Sequence, residues 1–189
     1  MKKILMMMAA MAAASWAEEP SQILEYRVLA TTKTSTMERE MNQAAGDGYR
    51  FLAAMGGETA FGGKETVVTM GRVKDVSGNG LRYKLLATSR TSTMQKEMAD
   101  AAAEGYWYKG QTVFESAFGG REVAVILERD EARGGGRQEY LLLATSKTST
   151  MDKELNEAGR QGFTVVGMTV GKTAMRGSEV VCILGRTAR

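Results

Sequence analysis

Lys33, Arg90 and Lys147 each stand two residues ahead of a serine (Ser35, Ser92 and Ser149), in a phrase that the chain writes three times. The copies read ATTKTSTMEREM from Ala30, ATSRTSTMQKEM from Ala87 and ATSKTSTMDKEL from Ala144. A cation among hydroxyls at the start of a helix is a chemistry for holding anions, because the first backbone N–H groups are free and the helix dipole is positive there. The same residues also have a purely structural reading. Ser35, Ser92 and Ser149 fall at the N-cap, and Glu38, Gln95 and Asp152 stand three residues later, which is the capping-box spacing. A good cap stabilises a helix by about 1 kcal/mol, reason enough to keep it in every copy. Capping accounts for the serines but not for the basic residue. Either solvation and the recurring Glu40, Glu97 and Glu154 offset that charge, the favoured reading, or an anion sits against it.

Other chemistry is thin. The chain has no histidine, which removes Ser-His-Asp and Cys-His catalysis and every zinc site that uses histidine. Its only cysteine, Cys182, lies in the apolar run VVCILG and reads as a buried free thiol with no disulfide. No nucleophile–base set converges, so no catalytic residue, metal ligand or cofactor is expected and the chain reads as a non-enzyme. Glu65, Glu122 and Glu179 recur one per repeat and read as charges that keep a strand edge soluble. Phe61 and Phe118 sit at AFGG hairpin tips, where they either bind a partner or fold back on the sheet; Met175 takes that place in the third copy. Trp107 has no aromatic counterpart and is expected to pack between repeats.

The elements that carry these residues come from one unit repeated with an offset of 57 residues. The match runs without gaps from Tyr26, Tyr83 and Tyr140 to Arg72, Arg129 and Arg186, giving units 24–74, 81–131 and 138–187. Glycine-rich DVSGNG and ARGGGR join them. Each unit reads strand, helix, strand, strand. The first strand is rich in Tyr, Leu and Val, and ends at a Thr/Ser cluster. Apolar residues at helical spacing, such as Met37 and Met41 with Ala44 and Ala45, predict helices over 36–47, 93–104 and 150–161. Gly48, Gly105 and Gly162 fit the left-handed position after a helix, with Tyr49, Tyr106 or Phe163 as the following apolar contact and the start of the second strand. The third strand is apolar at nearly every position in units two and three, hence buried on both faces and central. The fold class is therefore α+β: three βαββ repeats of strand order 1-3-2, each with one helix on one sheet face. About 50 residues bury little alone, so the other face is expected to be covered by another repeat and the whole to form one compact body.

The helix end of unit three, LNEAGRQGF, resembles a family of short uncharacterised bacterial domains with a YEY-type first strand and a helix closing as L-N-x-x-G-x-x-G-aromatic. Tyr140, Leu155, Asn156, Gly159, Gly162, Phe163 and Arg186 fit that pattern, whereas unit two lacks the Asn and has Ala102 for the first Gly. The resemblance implies the βαββ fold and no activity.

Residues 1–17 read as an export signal, with Lys2 and Lys3, an apolar run from Ile4 to Ala14, and Ser15-Trp16-Ala17 before Glu18. The run is short of the ~20 residues that span a bilayer. Five of the fourteen methionines go with this segment, and net charge falls from +3 to +1 without its two lysines. That balance gives no footprint for nucleic acid. The expectation is a periplasmic or secreted binding or structural module with a protein or envelope partner. A carrier of small anions at the three basic helix starts is the alternative.

Overall fold

A computed structural model describes residues 24–59, 63–75, 78, 80–115, 121–132, 136–172 and 178–188. The expected signal at 1–17 and the hairpin tips with Phe61, Phe118 and Met175 lie outside the described residues. The first unit comprises β1 (Leu24–Thr31), α1 (Thr34–Gly46), β2 (Arg50–Thr59) and β3 (Gly63–Val73). The second comprises β4 (Leu81–Thr88), α2 (Thr91–Ala103), β5 (Trp107–Glu115) and β6 (Arg121–Asp130). The third comprises β7 (Gln138–Thr145), α3 (Thr148–Arg160), β8 (Thr164–Lys172) and β9 (Ser178–Thr187).

The three sheets run β1-β3-β2, β4-β6-β5 and β7-β9-β8, all antiparallel, so the expected 1-3-2 order holds in each. The central strands owe their place to continuous apolarity: Ala124 to Leu127 and Cys182 to Leu184 are all but fully buried. Cys182 is a free, buried thiol whose pKa burial pushes up. Glu65 and its counterparts open the central strand, not an edge, which corrects the solubility reading; Glu65 instead accepts the Thr59 hydroxyl across the hairpin at 2.5 Å.

The helices start two residues earlier than their spacing predicts and end as expected in kind. After α1, Gly48 takes φ 90°, the Gly48 amide donates to the Ala45 carbonyl at 2.9 Å, and the Tyr49 amide donates to the Ala44 carbonyl at 3.0 Å. This is the Schellman arrangement, repeated at Gly105 and Gly162. The recurring arginine closes it. Arg72 Nη1 donates to the Asp47 carbonyl at 2.6 Å and its Nε to Glu25 at 2.8 Å, while Arg72 and Arg27 lie 4.7 and 4.4 Å from the centre of the Tyr49 ring. A cation at the negative end of the helix meets orphan carbonyls, so this charge is well placed. The second strands begin one residue after the aromatic. Trp107 is two-fifths exposed and lies against Gly136 of the linker between the second and third units.

The first two helices each serve two sheets. Met37, Met41 and Ala45 of α1 pack with Val68 and Met70 of their own sheet and with Leu81, Tyr83 and Ile126 on the far face of the second. The core around Met94, Met98 and Ala102 of α2 likewise takes in Tyr140 and Ile183 of the third unit. The core of α3 contains only third-unit residues, among them Met151, Ala158, Cys182 and Leu184. The described residues thus form a stack in which sheets and helices alternate, with a sheet face that none of them covers at the first unit and a helix at the third.

Candidate functional site

None of the three helices has a side-chain cap. Lys33, Arg90 and Lys147 themselves occupy the N-cap with extended backbone, and Ser35, Ser92 and Ser149 become exposed second residues of the helix. The capping-box expectation is corrected on both halves. The turn is made upstream instead: the Thr31 hydroxyl oxygen accepts the Lys33 amide at 3.2 Å, and Thr88 and Thr145 do the same for Arg90 and Lys147 at 3.1 Å. A threonine that accepts the amide two residues on commits the chain to turn early, leaving the serine too far in to cap.

Glu38 and Gln95 do not reach back because they are engaged in the next unit. Glu38 Oε2 accepts the Leu85 amide at 2.8 Å. Gln95 Oε1 accepts the Leu142 amide at 2.7 Å, and its Nε2 donates to the Tyr140 carbonyl at 2.8 Å. Asn42 binds both backbone groups of Tyr83, its Nδ2 donating to the carbonyl and its Oδ1 accepting the amide, each at 2.9 Å. The first strand of every unit is an edge strand, and these side chains satisfy the row of polar groups that an edge exposes.

Tyrosine completes each joint. The Phe51 amide donates to the Tyr83 hydroxyl at 2.9 Å, and that hydroxyl donates to Glu128 at 2.8 Å. The Tyr108 amide donates to the Tyr140 hydroxyl in the same way. Burial drives the Tyr83 pKa far upward, raises that of Tyr140, and, with Tyr140 close by, pushes Tyr108 up to about 12. Small residues face these rings: a Cβ on Gly110 would lie 3.0 Å from Phe51 Cζ, and one on Gly167 would collide with the Tyr108 hydroxyl. Recurrence of Tyr26, Tyr83 and Tyr140 in identical register was the signal for this role, and the sequence reading assigned it only to strand formation.

The basic residues are exposed, one at each of the three helix starts. Arg90 lines a cavity of about 10 Å³ with Thr91, Met94 and Val123, closed by Thr169 and Val181 of the third unit; Lys33 and Lys147 are not in its lining. The Thr169 hydroxyl has no hydrogen-bond partner among the described residues. That volume suits one water molecule and falls well short of phosphate. A wider, open groove of about 630 Å³ passes Ala99, Arg137, Tyr140 and Arg186. Its Arg186 is held by Glu139 at 2.7 Å and by the Gln161 carbonyl at 2.6 Å, so it is a wall of the groove and not a free cation. Among the described residues no cluster of metal-ligating side chains is present, and no helix is long and apolar enough to cross a membrane.

The large apolar side chains left in solvent gather at the two ends of the stack. Leu24, Tyr26, Val28, Leu52 and Met55 are each more than half exposed in the first unit, whereas Leu81, Tyr83 and Leu85, the counterparts of the first three, are buried. In the third unit Val165, Met168, Val170 and Val180 are exposed, and α3 presents a half-buried Leu155 beside Gly159 and Asn156. The other exposed large apolar residues among those described are Trp107 in the second unit and Val166 in the third. No family model, no curated protein and no solved structure matches the chain.

Proposed function

We propose that this chain is an exported, non-enzymatic binding or structural module, acting in the periplasm or outside the cell through the two ends of its stack. The observation that carries the reading is the pair of apolar end faces: side chains of one type are buried at the internal joints and exposed at the ends. Exposed apolar surface gathered in patches marks interaction sites. The expected leader at 1–17 supports export, and the resemblance to short βαββ domains brings no activity with it. A photo-crosslinking residue at Met168 or at Val28, expressed in the native host, should give a discrete adduct, and one at exposed Lys96 should not. Absence of adducts at both ends would overturn the module reading.

The anion-carrier alternative has one observation in its favour, the lack of a side-chain cap at Lys33, Arg90 and Lys147. It is the weaker reading because neither Lys33 nor Lys147 lines the cavity at Arg90 and that cavity is too small for an oxyanion. Phosphate should raise the melting temperature of the parent and of Arg90→Ala equally at matched ionic strength. A larger rise in the parent would favour the carrier.

A further inference from the structure

Each internal joint has two halves: a helix whose polar side chains, Glu38 with Asn42 or Gln95 alone, bind the next unit, and an edge strand bearing a tyrosine. Among the described residues one half of each kind is left unused, the strand half in the first unit and the helix half in the third. We propose that the open sheet face of the first unit docks on the α3 face of a second copy of this chain, head to tail, so that the internal joints are repeated between molecules. This deepens the module reading and rests on it.

The polar groups match position by position under the 57-residue offset. In β1 the Tyr26 backbone and the Val28 amide stand where those of Tyr83 and Leu85 are bound by Asn42 and Glu38. Among the described residues no side chain takes that part for Tyr26 and Val28. On α3, Asn156 and Asp152 stand where Asn42 and Glu38 do, and both are exposed. The Asn156 Nδ2 donates to the Asp152 carbonyl at 2.8 Å, as the Asn42 Nδ2 donates to that of Glu38 at 2.8 Å. The unused amide is therefore already turned as its engaged counterpart is. Tyr26 is prepared too: its ring lies over Gly71 as that of Tyr140 lies over Gly185.

Side-chain sizes change in compensating pairs. Inside the chain a large ring meets a glycine, Phe51 on Gly110 and Tyr108 on Gly167. At the ends the corresponding residues are Val165 and Ala53, a smaller side chain opposite one that keeps its Cβ. Asp152 is one methylene shorter than Glu38, and Gly159 replaces Ala45 and Ala102, which lets α3 approach a strand more closely. Met55 stands where Thr169 borders the small cavity, and exposed Val180 stands where Val123 forms its wall, so a methionine would fill the space that threonine leaves.

Head-on-head pairing would bring two edge strands together with no helix between them and leave Asn156 unmatched. A heterologous joint uses both ends, and it propagates as a filament or closes as a ring. Repeat arrays commonly carry polar terminal units that stop such growth. Here the exposed apolar residues are concentrated at the termini of the stack instead.

The test is sedimentation velocity on the chain from Glu18 over a concentration series, with Tyr26→Arg to disable the head and Val165→Arg to disable the tail. The parent should grow with concentration past two chain masses. Each variant alone should be a monomer with an unchanged melt, its association weakened about tenfold or more by the buried charge. The two variants mixed should form a complex of two chains, which has one working joint and stops there. A parent of one chain mass throughout, or a variant that still dimerises alone, would overturn head-to-tail docking. If end adducts form in the host with a mass that is no multiple of this chain, docking on a second copy falls while the module reading stands.

Discussion

Asn42 and Asn156 are the same residue in two copies of one helix, yet they should respond differently to the same change. Asn42→Ala leaves the Tyr83 amide and carbonyl unpaired in a covered joint and should lower stability by about 1–3 kcal/mol. Asn156→Ala, measured in dilute monomer by chemical denaturation, should stay within about 0.5 kcal/mol, since Asn156 faces solvent. Ser92→Ala should be equally mild, because Ser92 caps nothing, while Thr88→Ala should cost more by removing the hydroxyl that accepts the Arg90 amide. A loss of about 1 kcal/mol or more for Ser92→Ala alone would restore the serine cap. Tyr83 makes a pH prediction. Its folded pKa lies above the ordinary value near 10, so the fold keeps the proton when the unfolded chain releases it. Its stabilisation is complete below about pH 10 and is lost as the pH rises from there toward the folded value. Thermal melts from pH 8 upward should fall above about pH 10, less steeply in Tyr83→Phe.

The helix ends are local devices, and local devices were legible. Gly48, Gly105 and Gly162 followed by an aromatic spell the Schellman turn in two letters, and the positive φ at each confirms it. Gly105→Ala should therefore cost about 1–2 kcal/mol in denaturant unfolding from strain alone. Strand order was legible for a related reason: the third strand of units two and three is apolar throughout, which only a central strand tolerates. The helix starts were misread because their chemistry is not local. S-x-x-E meets the capping-box pattern within four residues, but the Glu38 carboxylate is engaged by Leu85, 47 residues away. The joints left a trace that could have been followed. Thr69 stands in the first unit where Ile126 and Ile183 are fully buried, which marks the first sheet's far face as uncovered.

In the whole molecule the middle unit has most to lose, because it shares a core with each neighbour. Residues 81–131 alone would expose Leu81, Tyr83 and Ile126 on one side and Met98 and Ala102 on the other. That fragment should be molten or self-associating, with no sharp calorimetric transition, whereas residues 18–132 keep one intact joint and should melt cooperatively below the parent. A sharp monomeric melt for the lone unit would show that the joints contribute little. The sharing of α1 and α2 by two sheets each also sets a timetable. α1 is finished by β4 and α2 by β7, so the partner of Glu38 leaves a ribosome or a translocation pore 47 residues after Glu38 itself. Synthesis and closure run one strand out of phase. An unfinished surface travels with the growing chain from one helix to the next, and among the described residues the α3 face is the one that no following unit covers.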